Sequence, residues 1–270
     1  MSRIVRKVLD ALPPGIGLPL DHWQQRARGG GRARARRMNE LFRKIGSPDA
    51  VTAGPFKGLK YRYWHPSWNG LNNMLGTYEH ELAPVVERAI MLAPDVFINV
   101  GSAEGYFTLG MAMRLPSARV IAYDLKASAR YMLGQNADLN GLRPRIDQRE
   151  GCTPQLLQHA LKDARCPMVV CDCEGYEEIL LDSTSVPLLT QAIILVEVHD
   201  ATGFAPGVAD RLRDRFSATH RIEMVRERKL VPADRPAGLA LDDREWLECV
   251  DGDRGLPGLW YFMVPAGLFD

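Results

Sequence analysis

The chain has 270 residues, 46% hydrophobic and 25% charged, which suits one large domain or one domain with an extension and a substantial buried core. The net charge of +1 is unevenly spread: residues 1–60 hold 13 Lys and Arg against 4 Asp and Glu, and the remainder hold 21 against 29. A basic leader on an acidic body excludes a uniformly basic nucleic-acid binder and disfavours a large nucleic-acid substrate.

No apolar run approaches the roughly 18 residues of a spanning helix; the best, Val186–Val196, is interrupted by Thr190 and Gln191. The start, "MSRIVRKVLDALPPG", scatters Arg and Lys among its apolar residues and lacks the uninterrupted core of a signal peptide. Five cysteines without regular spacing argue against a disulfide framework and for a reducing, cytoplasmic setting.

In chain order, Ile4, Val5, Val8, Leu9 and Leu12 share one helical face, which "PPGIGLP" then breaks. The segment "RARGGGRARARR" is predicted to be a flexible basic arm, either solvated or in weak contact with an anionic membrane or substrate. "FKGLKYRYWHPSW" suits a short hairpin, and "GTYEHELAPVVERAIML" a helix with a break or late first turn at Pro84. This gives an N-terminal extension over 1–50, a hairpin and helix covering the site over 51–94, and a catalytic domain over 95–270.

From residue 95 the pattern alternates. Strands are predicted at 95–101, 118–125, 143–151, 167–173 and 191–199, with helices at 105–115, to Asn136, at 154–164, from Tyr176 and at 205–216. Such alternation implies βαβ units and an α/β, doubly wound, mostly parallel Rossmann-like sheet. "HRIEMVRER" and "LWYFMVP" follow as two strands with no clear helix between them, predicting a C-terminal antiparallel hairpin.

Ligands of such sheets bind beyond the carboxyl ends of the strands. The first strand ends in "NVGSAEGYFT", where Gly101 and Gly105 permit a tight turn; glycines serve any such turn as well. The second ends at Asp124, 23 residues after Gly101, where a carboxylate can accept both hydroxyls of a ribose. The dinucleotide fingerprint G-x-G-x-x-G is missing its second glycine, because Ala103 stands there, and no P-loop occurs. An adenosine cofactor without a pyrophosphate, S-adenosylmethionine (SAM), therefore fits better than NAD.

"INVGSAEGYFTL", "AYDL", "CDCEGYEEILL" and "ILVEVH" resemble the FkbM-like branch of class I SAM-dependent methyltransferases over about residues 95–200. The Asp-x-Glu-Gly-x-Glu pattern at Asp172, Glu174, Gly175 and Glu177 is the most distinctive part; Asn99 and Ala103 depart from the family's usual residues. The resemblance implies methyl transfer from a sulfonium to an oxygen, less often a nitrogen, on a sugar, polysaccharide precursor or secondary metabolite. Cofactor-binding candidates are Gly101, Ser102, Glu104, Gly105, Asp124 and Asp172, with Gly151 and Cys152 placed near the adenine by class analogy. Tyr78 and Glu79, in "GTYE" before the first strand, are second-rank candidates; Thr77 as a helix cap is the alternative.

Strands four and five should be neighbours, which brings Asp172 and Glu174 near Glu197, His199 and Asp200. Asp172, Glu174, Glu197 and His199 are the catalytic candidates, with His199 as base because an imidazole ordinarily titrates near neutrality. A divalent ion, Mg²⁺ or Mn²⁺, held by Asp172 and Glu197 with His199 as ligand or base, suits this oxygen-rich set. Alternatively, Glu174 and Glu177 simply favour the first turn of the following helix. Cys171 and Cys173 lack a second pair and are expected to be buried strand thiols. Two rival functions stay open: an NAD(P)-dependent oxidoreductase on a similar sheet, and a non-catalytic protein that recruits partners through the basic arm. Acceptor contacts are expected from Tyr61–Asn73, Gly203–Gly207 and Val231–Asp243. Oligomeric state has no signature in the sequence.

Overall fold

A computed structural model describes residues 31–62, 70–200, 206–250 and 258–268. Its helices, in chain order, are α1 (Gly31–Lys44), α2 (Gly70–Leu75), α3 (Ala83–Met91), α4 (Tyr106–Arg114), α5 (Ala127–Leu139), α6 (Pro154–Leu161), α7 (Glu177–Leu180), α8 (Val208–Phe216) and α9 (Asp243–Val250). The strands are β1 (Val96–Val100), β2 (Arg119–Tyr123), β3 (Ile146–Arg149), β4 (Pro167–Cys171), β5 (Ile193–Glu197), β6 (His220–Arg226) and β7 (Leu259–Pro265). Among the described residues two compact units form: one from 84–200, 206–226 and 258–268, the other from 31–62, 70–83 and 227–250.

The first unit is the sheet, in the order β3-β2-β1-β4-β5-β7-β6. β1 to β5 run parallel, and β7 lies antiparallel to both β5 and β6. The central strands are short, β-branched and apolar because both faces are covered; β1 and β4 are buried at every position. On one face Ile98, Val100, Ile121, Val169, Cys171, Ile194 and Val196 share a core with Leu157, Leu180, Leu212 and Phe216 from the crossover helices. The opposite face of β1 carries a polar pair: buried Asn99 donates to the buried Thr108 hydroxyl of α4 at 2.9 Å.

In the second unit Met38, Leu41, Leu71, Leu75, Leu241, Trp246 and Cys249 form a separate core. The basic segment predicted to be flexible is, from Gly31 onward, the start of α1. Two basic side chains of α1 meet acids of α9: Arg37 donates to Glu248 at 2.7 Å, and Lys44 to Glu245 at 2.6 and 2.8 Å. Neighbouring Met38 and Leu41 are buried. Residues 1–30, including the first part of the stretch expected to touch an anionic surface, lie outside the described residues.

α9 corrects the expectation of no helix between the last two strands. The predicted hairpin reduces to a turn closed by one antiparallel bridge, Ala50 to Lys60; residues 63–69 lie outside the described set. Pro84 sits in the first turn of α3, where a missing N–H costs nothing. The helix predicted from Tyr176 is the single turn of α7. Among the described residues no helix is long and apolar enough to cross a membrane.

Thr108→Val removes the acceptor of a buried amide and should cost about 1–3 kcal/mol. Urea unfolding measures this, and an unchanged midpoint would show that Asn99 finds another partner.

Candidate active site

β1 turns over at Gly101, with φ +83°. The Gly101 and Ser102 N–H groups both donate to the Tyr123 carbonyl of β2, at 2.9 and 3.0 Å. A Cβ on residue 101 would lie 1.7 Å from the Asp172 carbonyl oxygen, so only glycine lets the ends of β1 and β4 come this close. The Ala103 N–H donates to Asp124 Oδ2 at 2.8 Å, and the Gly105 N–H to the Ser102 carbonyl at 2.9 Å. Asp124 Oδ1 accepts the Lys126 N–H at 2.8 Å. The Asp124 carboxylate thus ties the turn after β1 to the turn after β2, while its oxygens keep further lone pairs.

Ser102 is buried and its Oγ has no hydrogen-bond partner. Burial, with the nearby Asp124 charge, raises the Glu104 carboxyl. Gly151 and Cys152 follow β3 and are buried; burial pushes the Cys152 thiol well above its usual range. Tyr78 and Glu79 belong to the second unit, where Glu79 is buried in a left-handed conformation, φ +49°.

The second cluster stands at the carboxyl ends of β4 and β5. His199 Nε2 lies 3.6 Å from Glu174 Oε2, 3.9 Å from Asp172 Oδ1 and 3.9 Å from Glu197 Oε2. Its other nitrogen, Nδ1, is 2.8 Å from Glu177 Oε1. The turn that presents these groups is tight: Glu174 and Gly175 both take positive φ, +57° and +100°.

The predicted grouping of Asp172, Glu174, Glu197 and His199 is therefore present. Asp200 does other work: it accepts the Gly207, Val208 and Ala209 N–H groups at 2.6–3.3 Å and caps α8. Among the described residues, the set whose ligand atoms all lie within 4.8 Å of one another is Asp172, Glu174 and His199, with Glu174 in the place expected for Glu197. Cys171 and Cys173 point together, Sγ to Sγ 3.4 Å, into the apolar face, and burial raises the Cys173 thiol well above its usual range.

The charges are strongly interdependent. Burial, reinforced by Asp172, pushes the Glu197 carboxyl well above the usual range. Burial also raises Asp172, to about 6, against the pull of the His199 charge. Glu197 hydrogen-bonds to Asp172, so the two carboxyls share a proton held chiefly by Glu197. Burial works against the His199 charge, but the Glu177 hydrogen bond and the Glu177, Asp172 and Glu174 charges outweigh it and raise its pKa to about 9. The expectation of an imidazole titrating near neutrality is thereby corrected: beside these carboxylates it stands protonated.

No family model matches the sequence, and no curated protein matches it. Solved structures do. The O-methyltransferase from Bacillus cereus, in complex with SAH, is 14% identical, with 91% of this chain and 96% of that chain covered and a TM-score of 0.44. The O-methyltransferase TomG from Streptomyces achromogenes, in complex with SAM, is 12% identical, with 91% and 96% covered and a TM-score of 0.41. The precorrin-6y C5,15-methyltransferase from Geobacter metallireducens is 14% identical, with 68% and 88% covered and a TM-score of 0.47. The parallel strands, the neighbouring β4 and β5 and the C-terminal antiparallel hairpin are as expected; the insertion of β7 between β5 and β6 is shown by the structure. The chain has a Rossmann-like, doubly wound α/β fold: a seven-stranded, mostly parallel sheet with a C-terminal antiparallel hairpin.

Sequence reasoning placed Glu177 in the distinctive Asp-x-Glu-Gly-x-Glu pattern but gave it no role beyond that of a helix-start carboxylate. Its signal was present in the spacing, since a glutamate two residues after Gly175 can fold back beneath the turn.

His199, raised from 6.5 to about 9, binds its proton more tightly in the folded state than in the unfolded chain. Its stabilisation is fully present below pH 6.5 and lost as pH rises through about 9. Denaturant unfolding at pH 7 and pH 9 should differ by on the order of 1–3 kcal/mol, with lower stability at pH 9. A flat profile would contradict the charged imidazole.

Proposed function

We propose that the protein is a SAM-dependent methyltransferase acting on a hydroxyl oxygen of a sugar, polysaccharide precursor or secondary metabolite. The observation that carries this is the use of the glycine turn's donors. The N–H groups of Gly101, Ser102, Ala103 and Gly105 all bond within the protein, to Tyr123, Asp124 and Ser102. A pyrophosphate needs such donors aimed outward. This weighs against the NAD(P)-dependent alternative.

The turn suits a cofactor that is cationic at sulfur and free of phosphate. SAM, when bound, supplies an electrophilic methyl group. Gly101, Ser102, Glu104, Gly105 and Asp124 would hold it, with Asp124 offering remaining lone pairs to a ribose and Ser102 Oγ an unused polar atom. Gly151 and Cys152 would border the adenine, and Tyr78 and Glu79 are further candidates.

The acceptor belongs over the ends of β4 and β5. Asp172, ionised above about pH 6, is placed to take the hydroxyl proton while the His199 imidazolium steadies it. Positive charge arriving beside the cluster lowers the His199 pKa and fits the imidazole for the same task. Alignment of acceptor and methyl donor supplies much of the acceleration.

A divalent ion, Mg²⁺ or Mn²⁺, is the second reading, favoured by the close approach of Asp172, Glu174 and His199 and by the unpartnered Asp172 Oδ1. It would acidify the acceptor hydroxyl.

Isothermal titration should show binding of SAM and of its demethylated product and none of NAD; tight NAD binding without SAM binding would overturn the assignment. Asp172→Asn should lower methyl transfer about 10²- to 10⁴-fold, measured as kcat at saturating SAM. Labelled SAM incubated with host extract would identify the acceptor. Activity that survives exhaustive chelation would remove the ion from the scheme.

A further inference from the structure

We infer that Glu177 is a positioning residue: its carboxylate fixes the proton of His199 on Nδ1 and turns Nε2 toward Asp172, Glu174 and Glu197. As a role in catalysis this rests on the proposed methyl transfer; as a statement about the imidazole it stands on geometry alone.

Glu177 is completely buried, which is rare for a glutamate outside a saturated hydrogen-bond network. Its Oε1 accepts the Cys173 N–H at 3.1 Å and the Gly175 N–H at 3.1 Å, and its Oε2 accepts the same Gly175 N–H at 3.0 Å. His199 Nδ1 meets Oε1 at 2.8 Å. Backbone N–H groups can only donate, so the carboxylate accepts from them, and the oxygen facing His199 is an acceptor already occupied by other donors. The ring nitrogen against it must therefore carry the hydrogen. Whatever the charge of the ring, Nδ1–H is fixed, and Nε2 faces the site as proton carrier or lone pair.

The same carboxylate also builds the turn. Cys173 and Gly175 lie on either side of Glu174, whose left-handed conformation and that of Gly175 wrap the chain around the buried oxygens. Asp172 and Glu174 thus take their places from the group that orients His199. One buried charge sets three of the four members of the cluster.

The test uses the full chain. In the wild type, proton NMR with ¹⁵N-labelled histidine should show a His199 Nδ1–H resonance far downfield of the amides, as a charge-assisted hydrogen bond produces. Glu177→Gln, which keeps a neutral acceptor, should move that resonance upfield and lower methyl-transfer kcat about 10- to 100-fold, with the KM for SAM unchanged. Glu177→Ala should abolish the resonance. A wild-type spectrum with no downfield His199 Nδ1–H overturns the inference without recourse to any variant. So does a folded Glu177→Gln with unchanged kcat and resonance. If the protein proves not to bind SAM, the methyl-transfer assignment fails, while the NMR result still decides the role of Glu177.

Discussion

The site depends on one close approach, that of the backbone of Gly101 to the carbonyl of Asp172. At this point the strand order reverses, with β2 on one side of β1 and β4 on the other, and the following loops diverge to leave a crevice. The Asp172 N–H donates to the Val100 carbonyl at 3.0 Å, which extends the β1–β4 ladder one residue past the strand. The glycine turn and the carboxylate cluster are therefore set by the same few backbone atoms. A side chain at position 101 would have to push them apart, and both halves of the site would move together.

The cluster itself is a problem in charge placement. Four carboxyls, of which Glu174 is exposed and the other three are partly or fully buried, stand within about 4 Å of one imidazole. The structure handles them unequally. Glu177 is satisfied by fixed donors, and Glu197 keeps a proton that it shares with Asp172. His199 is held positive between the buried carboxylate and the open ones. The result is one imidazole with a fixed orientation and one carboxyl, Asp172, poised about a unit below neutrality.

The sheet was legible because its strands are short apolar runs closed by glycine or acid at the carboxyl end, a local signal. The pairing of Asp172 and Glu174 with His199 followed from strand adjacency. What the chain did not disclose depends on partners distant in sequence. α1 reads as a flexible run of arginines until Glu245 and Glu248, some 200 residues later, are placed beside it. α9 was missed because its apolar residues, Trp246, Leu247 and Cys249, are few and flanked by acids. The His199 pKa could not be read from spacing, since it is set by the sum of several charges and a burial that oppose one another.

The second unit's core joins Met38 and Leu41 of α1 to Leu241, just before α9, and to Trp246 and Cys249 within it, across the sequence that holds β1 to β6. During synthesis α1 leaves the ribosome before the other described elements; Leu71 and Leu75 can cover part of its apolar stripe early, but Leu241, Trp246 and Cys249 follow only some 200 residues later. The central strands can pair in the meantime, because their contacts lie within the intervening stretch. Among the described elements, α1 is thus the first translated and among the last to complete its docking.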